Sequence, residues 1–218
     1  MIPERLSATR LAHAANHLAS RDKHLASILE NFGPPPMWAR KAGFRTLIRI
    51  ILEQQVSLAS AAAMFARLES SIIPMSPERL IEMGELRLKA LGLTRQKTTY
   101  FLDLSESIVQ DRLRLRSLGR MGDDDVRAAL MRVKGIGSWS ADIYLLMALQ
   151  RPDIWPKNDL ALAVAMSKIG LTKRRSAPTE LAKTAERWRP FRSVAARMLW
   201  QYYLAQPRHV SPRLLQDG

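Results

Sequence analysis

Residues 130–141 read Leu-Met-Arg-Val-Lys-Gly-Ile-Gly-Ser-Trp-Ser-Ala, and few backbones can carry that order. Leu130 and Val133 are three apart, so they share the inner face of a helix that ends there. Gly135 and Gly137 suit a tight turn that needs positive φ and lets another group approach the backbone closely. Ser138 is a candidate cap for the helix that follows. Successive amides in such a turn, beside a helix N-terminus, form a site for an anion such as phosphate. Lys134 adds a cation at the tip. An ordinary helix–helix corner would use the same glycines only to solve a steric problem.

Charge favours the anion. Across 218 residues, 34 Lys and Arg against 20 Asp and Glu give +14. The basic residues are spread through the folded sequence, as in a binding face rather than a disordered arm. A globular chain this basic points to a polyanion, nucleic acid before anionic membrane. There is no cysteine, which excludes disulfides, thiol chemistry and cysteine-held clusters. His13 and His17 are four apart without an acid between them or an obvious third ligand, so a solvated helix face is expected there. No apolar run reaches membrane-spanning length and the N-terminus has no signal-type core. A soluble cytoplasmic protein is expected, nucleoid-associated if the source is a bacterium.

Helical periodicity runs the length of the chain and no alternating strand pattern appears. Helices are predicted over about 4–20 and 22–31, the second stopped by Gly33-Pro34-Pro35-Pro36. Trp38 follows in a loop, at a core edge or lining a pocket. The apolar helix from Phe44 to Glu53 meets Gln54-Gln55-Val56-Ser57 and then a small-residue helix, Ala59–Leu68. The two amides could read base edges or bond the backbone at a junction. Ser76-Pro77-Glu78 starts a helical region ending at Leu91-Gly92. Thr94 caps a helix of about 95–112. Arg95 and Lys97 in its first turn oppose the helix dipole, so they face a phosphate or simply solvent. After a Gly119–Gly122 loop, Asp123–Asp125 open the helix leading into the hairpin. Beyond it come helices at about 139–149, 160–169, 179–188 and 192–204, with a frayed tail from Pro207. Asp159 opens the third-last of these, either as a plain cap or as a carboxylate fixed at the mouth of a cleft.

Four blocks stand in order: Gln54-Gln55-Val56-Ser57; Val133 to Ala141; Trp155-Pro156-Lys157-Asn158-Asp159-Leu160; and Trp188-Arg189-Pro190-Phe191-Arg192-Ser193-Val194-Ala195-Ala196, closed by Trp200. Together, over roughly residues 25–205, they make the chain resemble the helix-hairpin-helix DNA glycosylase superfamily, closest to its alkylpurine branch of 3-methyladenine DNA glycosylase II type. The resemblance implies an all-α fold: one unit over 1–218, made of two helical subdomains with the active cleft between them. The first subdomain would take about 1–40 plus 150–218, and the second about 41–149 with the hairpin.

It also implies a function. A monofunctional glycosylase would flip an alkylated purine (3-methyladenine or 7-methylguanine type) out of double-stranded DNA and hydrolyse its N-glycosidic bond, acting in base excision repair. Such a base is cationic and already a good leaving group, so one carboxylate, Asp159, suffices to stabilise the oxocarbenium-like sugar. Trp139 and Trp200 match pocket positions, with Tyr144 as a neighbour, to hold the cationic base by stacking; core packing is the plain alternative for both tryptophans. Gln54 and Gln55 would fill the hole left by the base. Lys134 and the Gly135, Gly137 and Ser140 amides would hold a phosphate. No organic cofactor is expected; a structural sodium or potassium ion could sit on the Met131, Val133 and Ile136 carbonyls. A monomer is expected.

Two departures bear on this. Relatives place tyrosines where this chain has Ile143 and Gln201, which narrows the aromatic pocket. A non-catalytic or weakly active DNA-binding paralogue is the competing expectation. The superfamily's bifunctional members carry a lysine just after the hairpin glycines, where this chain has Trp139, so no strand-cleaving lyase step is expected.

Overall fold

The computed structural model describes residues 4–206; the tail expected to fray from Pro207 lies outside them. Among the described residues all regular structure is helical. In chain order the helices are α1 (Ala8–Ala19), α2 (Lys23–Phe32), α3 (Phe44–Glu53), α4 (Leu58–Ser71), α5 (Pro77–Ala90), α6 (Arg95–Val109), α7 (Leu115–Leu118), α8 (Asp123–Met131), α9 (Ser138–Ile143), α10 (Leu160–Lys168), α11 (Pro178–Ala185) and α12 (Arg192–Ala205). None of the described helices is long and apolar enough to cross a membrane.

Several bounds differ from the sequence reading. α1 starts at Ala8; the segment before it is not helical, and its Leu6 N–H donates to the Gln150 carbonyl at 2.8 Å. α5 is broken at Gly84, whose φ of 70° and ψ of 169° no helix accommodates. α6 stops at Val109, and Asp111 turns the chain with a φ of 58°. The expected single helix after the hairpin widens after α9 into a π turn, Tyr144–Ala148, with Leu149 N–H reaching back to the Tyr144 carbonyl. At this helix end the Met147 carbonyl accepts from Arg40 N–H at 2.9 Å and the Leu145 carbonyl from Arg151 N–H at 3.0 Å.

The helices form two compact units. The first holds the described residues up to Ser7 together with Met37–Lys157. The second holds Ala8–Pro36 and the described residues from Asn158 on. The divisions thus fall at 7/8, 36/37 and 157/158 rather than only near 40 and 150, so the segment before α1 belongs with the middle of the chain and not with α1 and α2. Arg151 explains the shift to 157/158. It is 1 % exposed, and its Nη2 donates to the Gly119 and Met121 carbonyls at 3.2 and 3.0 Å, with Asp123 beside its Nε. The loop after the π turn therefore belongs to the middle of the chain.

In the first unit α3 is the spine. It packs against α4, α6, α9 and the π turn, and it buries Phe44, Leu47, Ile48, Ile50, Ile51 and Leu52. Each large aliphatic side chain so buried contributes about 1.5–3 kcal/mol. Glu53 at its end takes both Nη atoms of Arg40 at 2.8 Å each, which pins the loop before α3.

In the second unit α12 is central. Every residue from Ser193 to Trp200 is buried, because α1, α2 and α10 all pack on it. Asp22 links two ends of that unit. Its Oδ1 caps α2 by accepting from the His24 and Leu25 N–H groups at 3.0 and 3.4 Å. Its Oδ2 accepts from the buried Trp188 indole at 2.9 Å, with Arg187 3.0 Å away. Asp22→Ala removes the cap and takes the acceptor from a buried donor. It is expected to cost about 2–4 kcal/mol of unfolding free energy, against a smaller loss for Asp22→Asn, measured by urea denaturation.

Candidate functional site

The hairpin lies in the first unit. α8 ends at Met131, residues 132–137 turn, and α9 begins. Three aspartates, Asp123–Asp125, suit the N-terminus of α8. Arg127 fastens α8 to α9, donating from Nε to the buried Asp142 Oδ1 at 2.6 Å, while its Nη1 donates to Asp124 Oδ1 at 2.6 Å. Burial pushes the Asp142 carboxyl up, and Arg127 works against that.

Only one of the two glycines is needed for its backbone angle. Gly135 has a φ of 83°, and a Cβ there would lie 2.2 Å from the Tyr100 ring. Gly137 has a φ of −90° and open space around it. It is the N-cap of α9, so Ser138 is the first helical residue rather than the cap, and no side chain caps this helix. What Gly137 contributes is room for another group to reach the head of α9. Residues 131–137 border an open hollow of about 400 Å³. Lys134 is exposed at its edge, while its N–H donates to Asp103 Oδ2 at 2.8 Å.

The paired glutamines divide their work. Gln54 Nε2 donates to the Gly135 carbonyl and to Ser140 Oγ, both at 2.8 Å. Gln54 is therefore a strut between the end of α3 and the hairpin, not a side chain free to fill a gap. Ser140 is 2 % exposed and serves as its acceptor. Gln55 is exposed, with a φ of 58°. Lys97 is half-buried and already engaged: its Nζ donates to the Leu52 carbonyl at 2.7 Å and the Gln54 carbonyl at 3.2 Å, capping α3. Sequence reasoning missed this support. The signal was the spacing of Lys97, Tyr100 and Asp103, three apart on one face of α6.

Of the proposed pocket aromatics in this unit, Tyr144 is placed differently from expectation. Tyr144 is fully buried, with its hydroxyl accepting from the Gly43 N–H at 3.0 Å and its pKa pushed up to about 12 by burial. It secures the loop before α3 instead of lining an open pocket. Trp139, at the start of α9, is half-buried. Ile143 is buried. Met131 is exposed and Val133 and Ile136 are buried; the Val133 carbonyl already accepts from Ile136 N–H at 3.2 Å.

Asp159 and Trp200 belong to the second unit. Asp159 is the N-cap of α10, following Asn158 with its φ of 63°. Its Oδ1 accepts from Leu162 N–H at 2.9 Å and from Trp200 Nε1 at 3.2 Å. The residue is 9 % exposed, and Leu160 beside it is 52 % exposed. Trp200 is 7 % exposed, so it acts as an orienting donor for the carboxylate rather than an open stacking surface. Gln201, one of the departures from the resemblance, donates to the Phe32 carbonyl at 2.9 Å. His13 and His17 are exposed on α1, and no group of acidic or histidine side chains among the described residues could hold a metal.

Comparison with known proteins agrees with this geometry. Residues 48–190 match the family described as HhH-GPD superfamily base excision DNA repair protein. DNA-3-methyladenine glycosylase 1 of Schizosaccharomyces pombe is 26 % identical over 201 residues, covering 88 % of this chain and 88 % of that protein. DNA-3-methyladenine glycosylase 2 of Escherichia coli is 28 % identical over 169 residues, 72 % of this chain and 56 % of that one. A solved structure of an S. pombe 3-methyladenine DNA glycosylase in complex with abasic DNA superposes with a TM-score of 0.79 at 25 % identity, over 87 % of this chain and 95 % of that one. The chain therefore belongs to the HhH-GPD superfamily of base excision DNA repair proteins.

Proposed function

We propose that the protein is a monofunctional DNA glycosylase that extrudes alkylated purines of 3-methyladenine or 7-methylguanine type from double-stranded DNA and hydrolyses their N-glycosidic bond, acting as a monomer. The observation that carries this reading is the fixed Asp159 carboxylate, oriented through Oδ1 by the Leu162 amide and the Trp200 indole at the head of α10. The names of the relatives support the substrate class.

The lesion's positive charge makes the base a good leaving group, so the demand on the protein is to stabilise charge on the sugar. A carboxylate held on one oxygen by two donors does this without reorganising. Water is the nucleophile, taking the anomeric carbon as the C–N bond breaks; its proton passes to solvent or to Asp159. Trp139 offers its ring to the cationic base. Gln55 fills the space that the base leaves, and the head of α9 with Lys134 receives a backbone phosphate. A sodium or potassium ion on the Met131, Val133 and Ile136 carbonyls would offset that phosphate's charge; carbonyl oxygens suit a hard cation.

The direct assay is base release from alkylated duplex by the purified protein. Asp159→Asn keeps the cap but loses the charge. It is expected to lower excision by several orders of magnitude while affinity for duplex with an abasic analogue survives; near wild-type turnover would remove Asp159 from the chemistry. Affinity should fall with salt at a log–log slope of roughly −0.9 per phosphate neutralised. Lys134→Ala should flatten that slope by about one unit and weaken all sequences alike.

The product should be an intact strand with an abasic site. Trp139 cannot form a Schiff base with the sugar, so borohydride should trap no covalent complex, and nicking should require alkali or a separate endonuclease. A trapped adduct that disappears on mutation of one lysine would make the enzyme bifunctional.

A further inference from the structure

Gln55 is an exposed non-glycine residue with a φ of 58°. Such a conformation persists only where the surroundings over-determine it. On its N-terminal side two anchors grip the chain. The Gln54 carbonyl accepts from Lys97 Nζ at 3.2 Å, and the same nitrogen donates to the Leu52 carbonyl at 2.7 Å. The Gln54 side chain is held at 2.8 Å by the Gly135 carbonyl and Ser140 Oγ. On its C-terminal side Ser57 is fixed as the cap of α4, its Oγ accepting from Ser60 N–H at 3.1 Å. Only Gln55 and Val56 span the gap, and both are exposed.

Lys97 suits this task for two reasons. Its ammonium carries several donors on a long stem and can cap more than one carbonyl, and its charge opposes the negative end of α3. It is also backed on the same face of α6 by Tyr100 against Gly135 and by Asp103 on the Lys134 amide. One helix face thus sets both the α3 turn and the hairpin.

We infer that Lys97 is a positioning residue for Gln55: by capping the Leu52 and Gln54 carbonyls it holds Gln55 in the left-handed, outward conformation from which its side chain enters the gap in the duplex. This role rests on the reading of Gln55 as the residue that fills the space of an extruded base. Lys97 itself need not touch DNA.

The test compares dissociation constants for a duplex carrying a tetrahydrofuran abasic analogue and for the same duplex intact. The ratio of the two cancels any uniform loss from removing a surface charge. Wild type, Lys97→Met, Gln55→Ala and the double variant are measured, with thermal melting to verify folding. Each single change is expected to reduce the preference about five- to tenfold, the scale of one or two hydrogen bonds. The double variant should match Gln55→Ala alone, because Lys97 acts through Gln55. Lys97→Arg, which keeps charge and donors, should retain most of the preference. Should Lys97→Met fail to fold, Lys97→Gln takes its place in the cycle.

An unchanged ratio in Lys97→Met would overturn the role, as would a Lys97→Met effect that multiplies in full on top of Gln55→Ala. A wild type with no abasic preference would overturn it too. A wild type that prefers the abasic duplex yet releases no base would overturn the glycosylase reading, while the ratios would still report the coupling between Lys97 and Gln55.

Discussion

The side-chain amide of Gln54 holds together elements that the chain separates widely. Its one nitrogen reaches a backbone carbonyl in the hairpin turn and a hydroxyl in α9, from the end of α3. A helix C-terminus and a glycine turn are each weak places, with carbonyls that lack intrahelical partners. Here the Gln54 amide takes the Gly135 carbonyl of the turn, and Lys97 takes the Leu52 and Gln54 carbonyls at the end of α3. The loop that follows and the turn opposite are therefore set relative to each other by short polar contacts in a polar, partly buried seam, where an apolar contact would allow sliding. Specific geometry between two surface loops needs directional bonds of this kind.

In the second unit the same logic recurs with aspartates in place of the glutamine. Asp22 and Asp159 each cap a helix with one oxygen, and each meets an indole N–H from the Trp188–Trp200 region, Asp22 through its other oxygen and Asp159 through the same one. The two tryptophans that delimit that block are thus both tied to helix heads. The block from Trp188 to Trp200 reads in the sequence as one motif, and its two ends do parallel jobs in the fold.

Most of the architecture was legible in the sequence because helical periodicity and proline and glycine stops are local signals. The hairpin, α3, α10 and α12 fell where the pattern put them. The π turn at Tyr144–Ala148 left no mark in the sequence, because its residues, Tyr-Leu-Leu-Met-Ala, suit an ordinary helix as well. The break at Gly84 was hidden by flanking residues that all favour a helix. At the site, Asp159 was readable from its place before α10, and Gln54 and Gln55 from their oddity between apolar helices. Which glutamine is a strut and which is exposed depends on contacts across about eighty residues of chain and has no local signature. Trp200 and Tyr144 looked like pocket aromatics for the same reason: a residue type states what a side chain can do, while burial decides whether anything can reach it.

Asp159 carries two obligations on one side chain. Whatever it does to a sugar, it also starts α10, and α10 packs on α12 at the centre of its unit. A descendant of this chain that gave up catalysis would still be held to an aspartate, or to the few residues that cap a helix as well. An aspartate kept at this position would therefore record that the helix is intact as much as that the enzyme turns over. A silenced copy would more readily show itself at Gln55, whose side chain is exposed.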